Sequence, residues 1–286
     1  MSVGKRAALT TLDALCCDEQ AALLALAHTG GMTTGQLQTI CWRERSRRTA
    51  QQGLSRMEHK GLIVQHHRSV HSQDRTYRLP SLWELVRRGA GLVRKHPLSP
   101  ENSASLAGRT LERAERLGAV VVALVSQTPE LAGLCVTLHP SIHPDQPRHG
   151  NSDALLFLHR WLTSLEATDQ PSTTPWLPTM DFDSYRGRAL LIELDDGLSA
   201  SGLRCQAERY ARPRVWRNST LGEEPLPLWV LSDPQRRNVI ARNFGSLWGE
   251  RWLSVAIPEI QLPQWTLWEG AKIVRTSSLG AVLDVC

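Results

Sequence analysis

Seven side chains between residues 43 and 55 have the chemistry to contact a nucleic-acid duplex. They are four arginines, two glutamines and a serine: Arg43, Arg45, Arg47, Arg48, Gln51, Gln52 and Ser55. An arginine can donate two hydrogen bonds to the edge of guanine, and a glutamine can pair in the same way with adenine. Arginine also contacts phosphate oxygens, which hold a protein in position on the duplex. These residue types therefore predict contacts with double-stranded DNA, and the alternative is a solvated basic surface without a ligand.

A second group of side chains, all carboxylates, has the chemistry to bind a hard metal ion. Asp181 and Asp183 are two residues apart, as are Glu193 and Asp195, so each pair shares one face of a strand. Mg²⁺ takes carboxylate oxygens as ligands and acts as a Lewis acid in phosphodiester hydrolysis. If the two strands pair, the four carboxylates converge. The alternative is that residues 195–197, Asp-Asp-Gly, form a turn at the end of a strand and that the other two carboxylates are solvated.

Two short helices must precede the arginine-rich segment. The first is predicted from Asp18 to His28, with Asp18 as its N-cap and the Gly30-Gly31 pair ending it. The second opens with Thr33, and Gln36 follows three residues later. This is the spacing of a capping box, in which each side chain accepts a hydrogen bond from the backbone N–H of the other residue.

The third helix carries the arginines and glutamines. It is predicted from about Ser46 to Gly61, and its apolar stripe is formed by Ala50, Leu54 and Met57 at positions i, i+4 and i+7. The arginines and glutamines lie largely off this stripe. The pattern predicts a helix that buries one side and presents a polar, basic side outward.

A hairpin is predicted directly after the third helix. Residues 62–64 are a short apolar strand, residues 66–75 form a polar loop, and residues 76–79 alternate as a return strand. This order of helices and hairpin is typical of a winged helix-turn-helix, which places one helix in the DNA major groove. The loop is then the wing, with Arg68 and Arg75 as phosphate contacts.

Positive charge is concentrated in the part of the chain that holds this pattern. Residues 1–100 contain 15 Lys and Arg against 7 Asp and Glu, a net charge of +8, whereas the whole chain has +5 and the other 186 residues therefore carry −3. Neutralising phosphates with basic side chains releases counterions and provides much of the affinity for DNA. The charge distribution supports DNA as the partner of the N-terminal part.

Composition limits the other classes of protein. The chain of 286 residues, 41% of them hydrophobic, is long enough for two domains with real cores. No apolar run is long enough to cross a membrane and the first residues lack a signal-peptide core, so a cytoplasmic protein without a membrane partner is expected. The six cysteines contain no Cys-x-x-Cys pair, which favours reduced thiols.

The domains are expected to meet near a segment rich in proline. We predict an α+β protein with a DNA-binding domain at residues 1–95, a linker at 96–103 and a mixed α/β domain at 104–286. A helical pattern runs over residues 103–117. From residue 178 onward the pattern predicts strands at 180–184, 189–195, 228–231 and 252–257, helices at 199–211 and from Asp233, and a hairpin joining the first two strands.

Parts of this second domain resemble a known family. The segment from Leu190 to Gly197, the helix residues from Gln206 to Tyr210, and the stretch from Leu228 to Phe244 are similar to the signature of the plasmid replication-relaxation proteins of bacteria. The resemblance implies an N-terminal winged helix and a C-terminal domain similar to the PD-(D/E)xK nuclease fold.

The same resemblance assigns roles to three carboxylates. The first acidic motif of that fold would map to Asp181, the second to Glu193, and the catalytic lysine to Asp195. An aspartate cannot supply the positive charge that stabilises the reacting phosphate. The resemblance therefore implies the architecture more than the activity, and an Mg²⁺ ion bound by Asp181, Glu193 and Asp195 is expected only if the protein is a nuclease.

The sequence thus predicts a DNA-binding protein that acts in replication control or transcriptional regulation of a plasmid or mobile element, with a non-catalytic nuclease-like domain. Two alternatives stay open at this point. One is a divergent Mg²⁺-dependent DNA endonuclease, and the other is a protein-interaction adaptor in a replication complex. A homodimer and replication proteins are further candidate partners.

Overall fold

The computed structural model is a mixed α and β structure, and its described residues form two sheets, one of three strands and one of seven. It describes residues 12–43, 45–72, 75–94, 111–126, 134–139, 154–160, 187–211, 226–256, 264–278 and 281–282. The predicted linker at 96–103 and the first part of the predicted helix at 103–117 lie outside these residues.

The N-terminal unit contains four helices and a small antiparallel sheet. In chain order its elements are a 3₁₀ turn Leu12–Ala14, α1 Cys17–Thr29, β1 Met32–Thr33, α2 Thr34–Cys41, α3 Arg47–His59, β2 Ile63–Ser72, β3 Arg75–Leu85 and α4 Arg87–Val93. The strand order is β1-β3-β2, so β3 lies between the long strand β2 and the two residues of β1. The sequence predicts the order of α1, α2, α3 and the hairpin of β2 and β3, but not β1 or α4.

Helix α1 is the centre of the N-terminal core. Residues 21–29 are all buried, and most of them are alanine or leucine, which pack closely and favour helix. Gly30 ends the helix with φ of 86°, a conformation that glycine adopts without strain. The prediction that Asp18 is the N-cap was wrong. Cys16 occupies that position without a side-chain bond, and Asp18 lies in the first turn, where its charge still suits the helix N-terminus.

Capping confirms the predicted starts of α2 and α3. The Thr33 hydroxyl accepts a hydrogen bond from the Gln36 N–H at 3.2 Å, and the Thr33 N–H donates to Gln36 Oε1 at 2.8 Å, which completes the capping box. Ser46 caps α3 by accepting from the Thr49 N–H at 3.2 Å. In both helices the first orphan N–H groups are satisfied by a side chain that is local in sequence.

The hairpin differs from the prediction in one respect. Residues 66–72 and 75 belong to paired strands instead of a loop, and the register runs from Ile63 opposite Leu85 to Ser72 opposite Arg75. A bulge lies between His66 and Arg68, opposite Pro80. Proline cannot donate to a strand ladder and is tolerated at such irregular positions. Residues 66–72 and 75 therefore belong to a bulged arm, which is the hairpin of β2 and β3, and not to a loop.

The second sheet is mixed and has the strand order β10-β9-β8-β7-β6-β5-β4. Its strands pair antiparallel except for β6 with β7 and β7 with β8, which are parallel. The elements of this unit are α5 Leu111–Ser126, β4 Leu134–His139, β5 Ala154–Arg160, β6 Gly187–Leu194, α6 Ala200–Ala211, β7 Leu226–Leu231, α7 Arg236–Ile240, a π-helical turn Ala241–Gly245, α8 Ser246–Trp248, β8 Arg251–Ala256, β9 Trp265–Glu269 and β10 Lys272–Ser277.

The partner of strand β6 corrects the predicted hairpin. We expected residues 180–184 to pair antiparallel with 189–195. Instead, β5 pairs antiparallel with β6 on one side, with Ala154 opposite Ile192, and β7 pairs parallel on the other. Both edges of β6 are therefore occupied, so the predicted pairing was wrong. Asp181 and Asp183 themselves lie outside the described residues.

Helices cover both faces of the central strands, since alternate residues of β6 point in opposite directions. Leu190, Ile192 and Leu194 face α5 and join a core that continues into α1 of the N-terminal unit. On the other face Leu191 joins a core with α6, the π-helical turn and several tryptophans. The predicted apolar side of α6, which is Leu203, Ala207 and Tyr210, is buried here. No described helix has the length and apolar character that crossing a membrane requires.

Candidate nucleic-acid interface and acidic cluster

The outer side of α3 presents the predicted arginines and glutamines to solvent. Ala50, Gly53, Leu54 and Met57 form the buried side of the helix. The other side chains that the sequence predicts as DNA contacts in this helix are exposed: Arg47, Arg48, Gln51, Gln52 and Ser55. Within the described ranges no carboxylate lies within ion-pair distance of Arg47 or Arg48.

The turn before α3 adds two more exposed arginines, Arg43 and Arg45. The backbone carbonyl of Arg45 accepts a hydrogen bond from Gln38 Nε2 at 3.3 Å, and its N–H donates to the Trp42 carbonyl at 2.9 Å. These contacts fix the backbone on which the side chain is mounted. Burial raises the pKa of the nearby Asp18 carboxyl, and the positive charge of Arg45 partly offsets that effect.

A buried carboxylate fixes the position of α3 on the core. The Glu19 side chain is only 4% exposed, and its Oε1 accepts a hydrogen bond from Arg56 at 2.9 Å, with Lys60 Nζ 3.9 Å from its other oxygen. Because Arg56 and Lys60 lie at the C-terminal end of α3, this contact ties that end to α1. Near the middle of the helix Gly53 packs against the ring of Trp42, and a Cβ at this position would lie 2.8 Å from a ring carbon.

The structure gives Arg68 a partner within the protein. Its guanidinium donates to both carboxylate oxygens of Glu115 in α5, at 2.6 and 2.9 Å, and to the Pro80 carbonyl at 2.7 Å. The hydrogen bond with Glu115 raises the pKa of Arg68, and the side chain is 15% exposed. This arginine therefore connects the arm to α5, which is a different role from the predicted phosphate contact. Arg75 pairs with Ser72 through the backbone at the end of the arm.

The acidic cluster has internal partners of its own. Glu193 lies in β6 and Asp195 directly follows the last residue of that strand, Leu194; both side chains are buried. The Tyr210 hydroxyl donates to Glu193 Oε1 at 2.5 Å. Arg236 donates to Asp195 with Nε at 2.8 Å and Nη2 at 2.9 Å, and the Gly197 N–H donates to the same carboxylate at 3.1 Å. The hydrogen bond with Asp195 raises the pKa of Arg236.

Two arginines of α5 hold the loop that follows β6. Arg113 and Arg116 both pair with Asp196, Arg116 at 2.7 Å. Arg116 also donates to the backbone carbonyl of Asp195 at 2.9 Å. Helix α5 therefore contacts two parts of the structure. Glu115 pairs with Arg68 of the arm, and Arg113 and Arg116 pair with Asp196 in the loop after β6.

The two described carboxylates of the expected site, Glu193 and Asp195, do not fit an Mg²⁺ site as they are arranged. Both carboxylate oxygens of Asp195 accept hydrogen bonds from a guanidinium, and Glu193 accepts one from a phenol, so protein donors occupy the positions that a cation would need. The third expected ligand, Asp181, lies outside the described residues. No described neighbouring strand of β6 offers it, because the adjacent strands are β5 and β7.

Sequence reasoning missed Tyr210, Arg236 and Glu115 as partners of the predicted site residues. Tyr210 was placed on the apolar side of α6 correctly, but the sequence did not predict which group its hydroxyl hydrogen-bonds. Arg236 is one of two adjacent arginines after a predicted helix start, and nothing local distinguishes it from Arg237. A bidentate partner in a different element is invisible to spacing rules, which see only neighbours in the chain.

Comparison of the chain with protein-family models, with curated proteins and with solved structures gives no match.

Proposed function

We propose that this protein binds double-stranded DNA through the exposed side of α3, with residues 12–94 acting as a winged helix. The observation that carries the proposal is the outer side of α3, where two arginines and two glutamines are exposed together on a helix whose other side is buried in the core. An exposed side chain that is not paired with a carboxylate can offer its hydrogen-bond donors to a ligand. Arginine and glutamine are the residue types that guanine and adenine edges select.

Charge supports the same partner. The first 100 residues have a net charge of +8. The basic side chains around the start of α3 are exposed. A polyanion gains affinity from such a surface by counterion release. A protein partner that docked on the same face would need acidic side chains, which makes an adaptor role the outcome to test against.

For the seven-stranded unit we propose a nuclease-like architecture without catalysis, in a protein that controls replication or transcription of a plasmid or mobile element. The order of α5, β4 to β6, α6 and β7, with Glu193 on β6 and Asp195 directly after it, supports the architecture. What supports a non-catalytic role is the pairing of Asp195 with Arg236 and of Glu193 with Tyr210. Catalysis by a divergent endonuclease would require both carboxylates to exchange these partners for a metal ion.

Fluorescence anisotropy with a labelled duplex of random sequence and with plasmid fragments tests DNA binding. We expect the double variant R47A/R48A to lose about 5- to 150-fold in affinity for each arginine that contacts a base, and its salt dependence to become shallower by about one for each lost phosphate contact. The control is R242A/R275A, which removes the same charge from exposed positions of the other unit.

Equal losses in both double variants would show that only net charge matters and would contradict the assignment to α3. Absence of any salt-dependent duplex binding by the wild type would contradict the DNA function and favour the adaptor. Nicking of plasmid DNA by the wild type in Mg²⁺, lost in Glu193→Gln with the fold retained, would contradict the non-catalytic role and establish the endonuclease alternative.

A further inference from the structure

The buried side of α3 defines which side chains point directly away from the protein. An α-helix turns by about 100° per residue. The mean direction of the buried residues Ala50, Gly53, Leu54 and Met57 points into the protein, and the opposite direction is taken as outward. Arg48, Gln52 and Ser55 form a row whose members each lie within roughly 30° of this outward direction. The exposed polar residues of α3 are therefore not equivalent, because only some lie at the centre of its outer side.

The neighbouring rows are directed sideways. Arg47 and Gln51 lie about 70–110° from the outward direction on one side. On the other side, Arg56 is held by Glu19, and Thr49 contacts the hydroxyl of Ser46 at 3.0 Å. A helix that lies in the major groove faces the base edges with its central row, while side rows face the two phosphate backbones.

The spacing within the central row fits two nearby base pairs. Arg48 and Gln52 are four residues apart, which corresponds to about 6 Å along the helix axis. Successive bases on one DNA strand are separated by about 3.4 Å. Side chains of this pair therefore reach bases about two steps apart. Arginine donates to O6 and N7 of guanine, and glutamine pairs with N6 and N7 of adenine.

We propose that Arg48 and Gln52 determine the sequence specificity of this protein, with Arg48 recognising a guanine and Gln52 an adenine about two base pairs away. Arg47 and Gln51, together with Arg43 and Arg45 before the helix, then contact the phosphate backbone and contribute affinity without sequence preference. This inference rests on the proposed DNA function and adds the base preference to it.

Glu58 supports the division between the rows. It is exposed and lies on the side of Arg47 and Gln51, but near the C-terminal end of α3. A carboxylate there repels a phosphate backbone, so contacts are confined to the N-terminal turns, where Arg48 and Gln52 lie. Arg56, the remaining arginine of the C-terminal half, is directed to Glu19 and away from the central row.

Selection of binding sites from a randomised duplex library, followed by sequencing, tests the proposal with the full-length protein. We expect the wild type to enrich sites with a guanine and an adenine at a fixed spacing of about two base pairs. R48A should lose the preference at the guanine and Q52A the preference at the adenine, each by about 5- to 150-fold in discrimination. R47A and Q51A should keep the wild-type motif and bind it less tightly.

R275A, which removes an exposed arginine from the edge strand of the seven-stranded sheet, is the charge-matched control and should select the wild-type motif. Circular dichroism of each variant checks the fold, which substitutions at exposed positions leave intact. A wild type that binds duplex DNA without base preference would overturn this inference while leaving the DNA function in place. Loss of the motif in R47A or Q51A, with R48A and Q52A unchanged, would overturn the assignment to the central row. No duplex binding at all would overturn both.

Discussion

The pair formed by Asp195 and Arg236 allows a stability prediction with a definite order of effects. The Asp195 side chain is fully buried, whereas Arg236 is 22% exposed. Arg236→Ala removes two hydrogen bonds to the carboxylate and one to the Leu198 carbonyl. The buried Asp195 carboxylate then keeps, among its described donors, the Gly197 N–H. Breaking a buried ion pair by removing one partner costs about 3–5 kcal/mol of the free energy of unfolding.

Asp195→Asn should be less harmful. The arginine left behind is partly exposed, so it can reach water, and it keeps its bond to the Leu198 carbonyl. We expect about 1–3 kcal/mol for this change. The double variant D195A/R236A should be more stable than R236A alone, because it also removes the unpaired buried charge.

Urea denaturation followed by circular dichroism measures these free energies of unfolding. In thermal melts, R236A should lower Tm by about 6–20 °C, taking roughly 2–4 °C for each kcal/mol in a chain of this size. Arg242→Ala, an exposed arginine in the π-helical turn, is the control and should change the free energy of unfolding by less than about 0.5 kcal/mol. If R236A lost less than about 1 kcal/mol, or if D195A/R236A were less stable than R236A, the account of Asp195 as a buried and paired carboxylate would be refuted.

Further predictions concern other parts of the chain. Arg68→Ala should lower stability by about 1 kcal/mol, since the side chain of its partner Glu115 is 31% exposed and solvent screens the pair. It should also reduce duplex affinity less than R48A does; an anisotropy loss as large as that of R48A would restore Arg68 as a phosphate contact. Gly53→Ala should destabilise by about 1–3 kcal/mol despite the better helix propensity of alanine, because its Cβ would lie 2.8 Å from the buried Trp42 ring. Gly91→Ala meets nothing within 4 Å and should stabilise by about 0.5–1 kcal/mol in the same urea titrations, and a G53A variant as stable as G91A would contradict the close packing. Burial raises the pKa of the Cys41 thiol, so iodoacetamide should label the exposed Cys205 in the native protein and reach Cys41 only after unfolding. Rapid labelling of Cys41 in the native protein, detected by mass spectrometry, would contradict its burial.

Local patterns determined much of the N-terminal unit. The capping box of Thr33 and Gln36 and the buried stripe of α3 were predicted from spacings of three or four residues, and the helix stop at Gly30 from the residue type; the structure confirms each of them. In the second unit the same reasoning placed α6 and the strand β6. These features depend on neighbours in the chain, whose geometry the helix and strand repeats dictate.

Strand partners were decided only by the tertiary structure. The alternation in this segment predicted that Glu193 and Asp195 share a strand face; the strand ends at Leu194, and both side chains are buried. It did not predict that β5 and β7 lie on either side of the strand, and it missed the hairpin of β9 and β10. Several apolar segments of this chain are compatible with the same strand edge, and the choice among them depends on how the whole sheet is covered by helices.

Charge partners were also beyond the sequence. Arg68 and Arg48 are the same residue type in segments that both predict DNA contacts, yet Arg68 meets Glu115, which is 47 positions away in the chain, and Arg48 meets solvent. Asp195, expected as a metal ligand or a turn residue, accepts a hydrogen bond from the Gly197 N–H at the end of β6 and pairs with Arg236 across 41 positions. An arginine pairs with whichever carboxylate folding brings within about 3 Å, and that distance is a property of the packed structure and not of the local sequence.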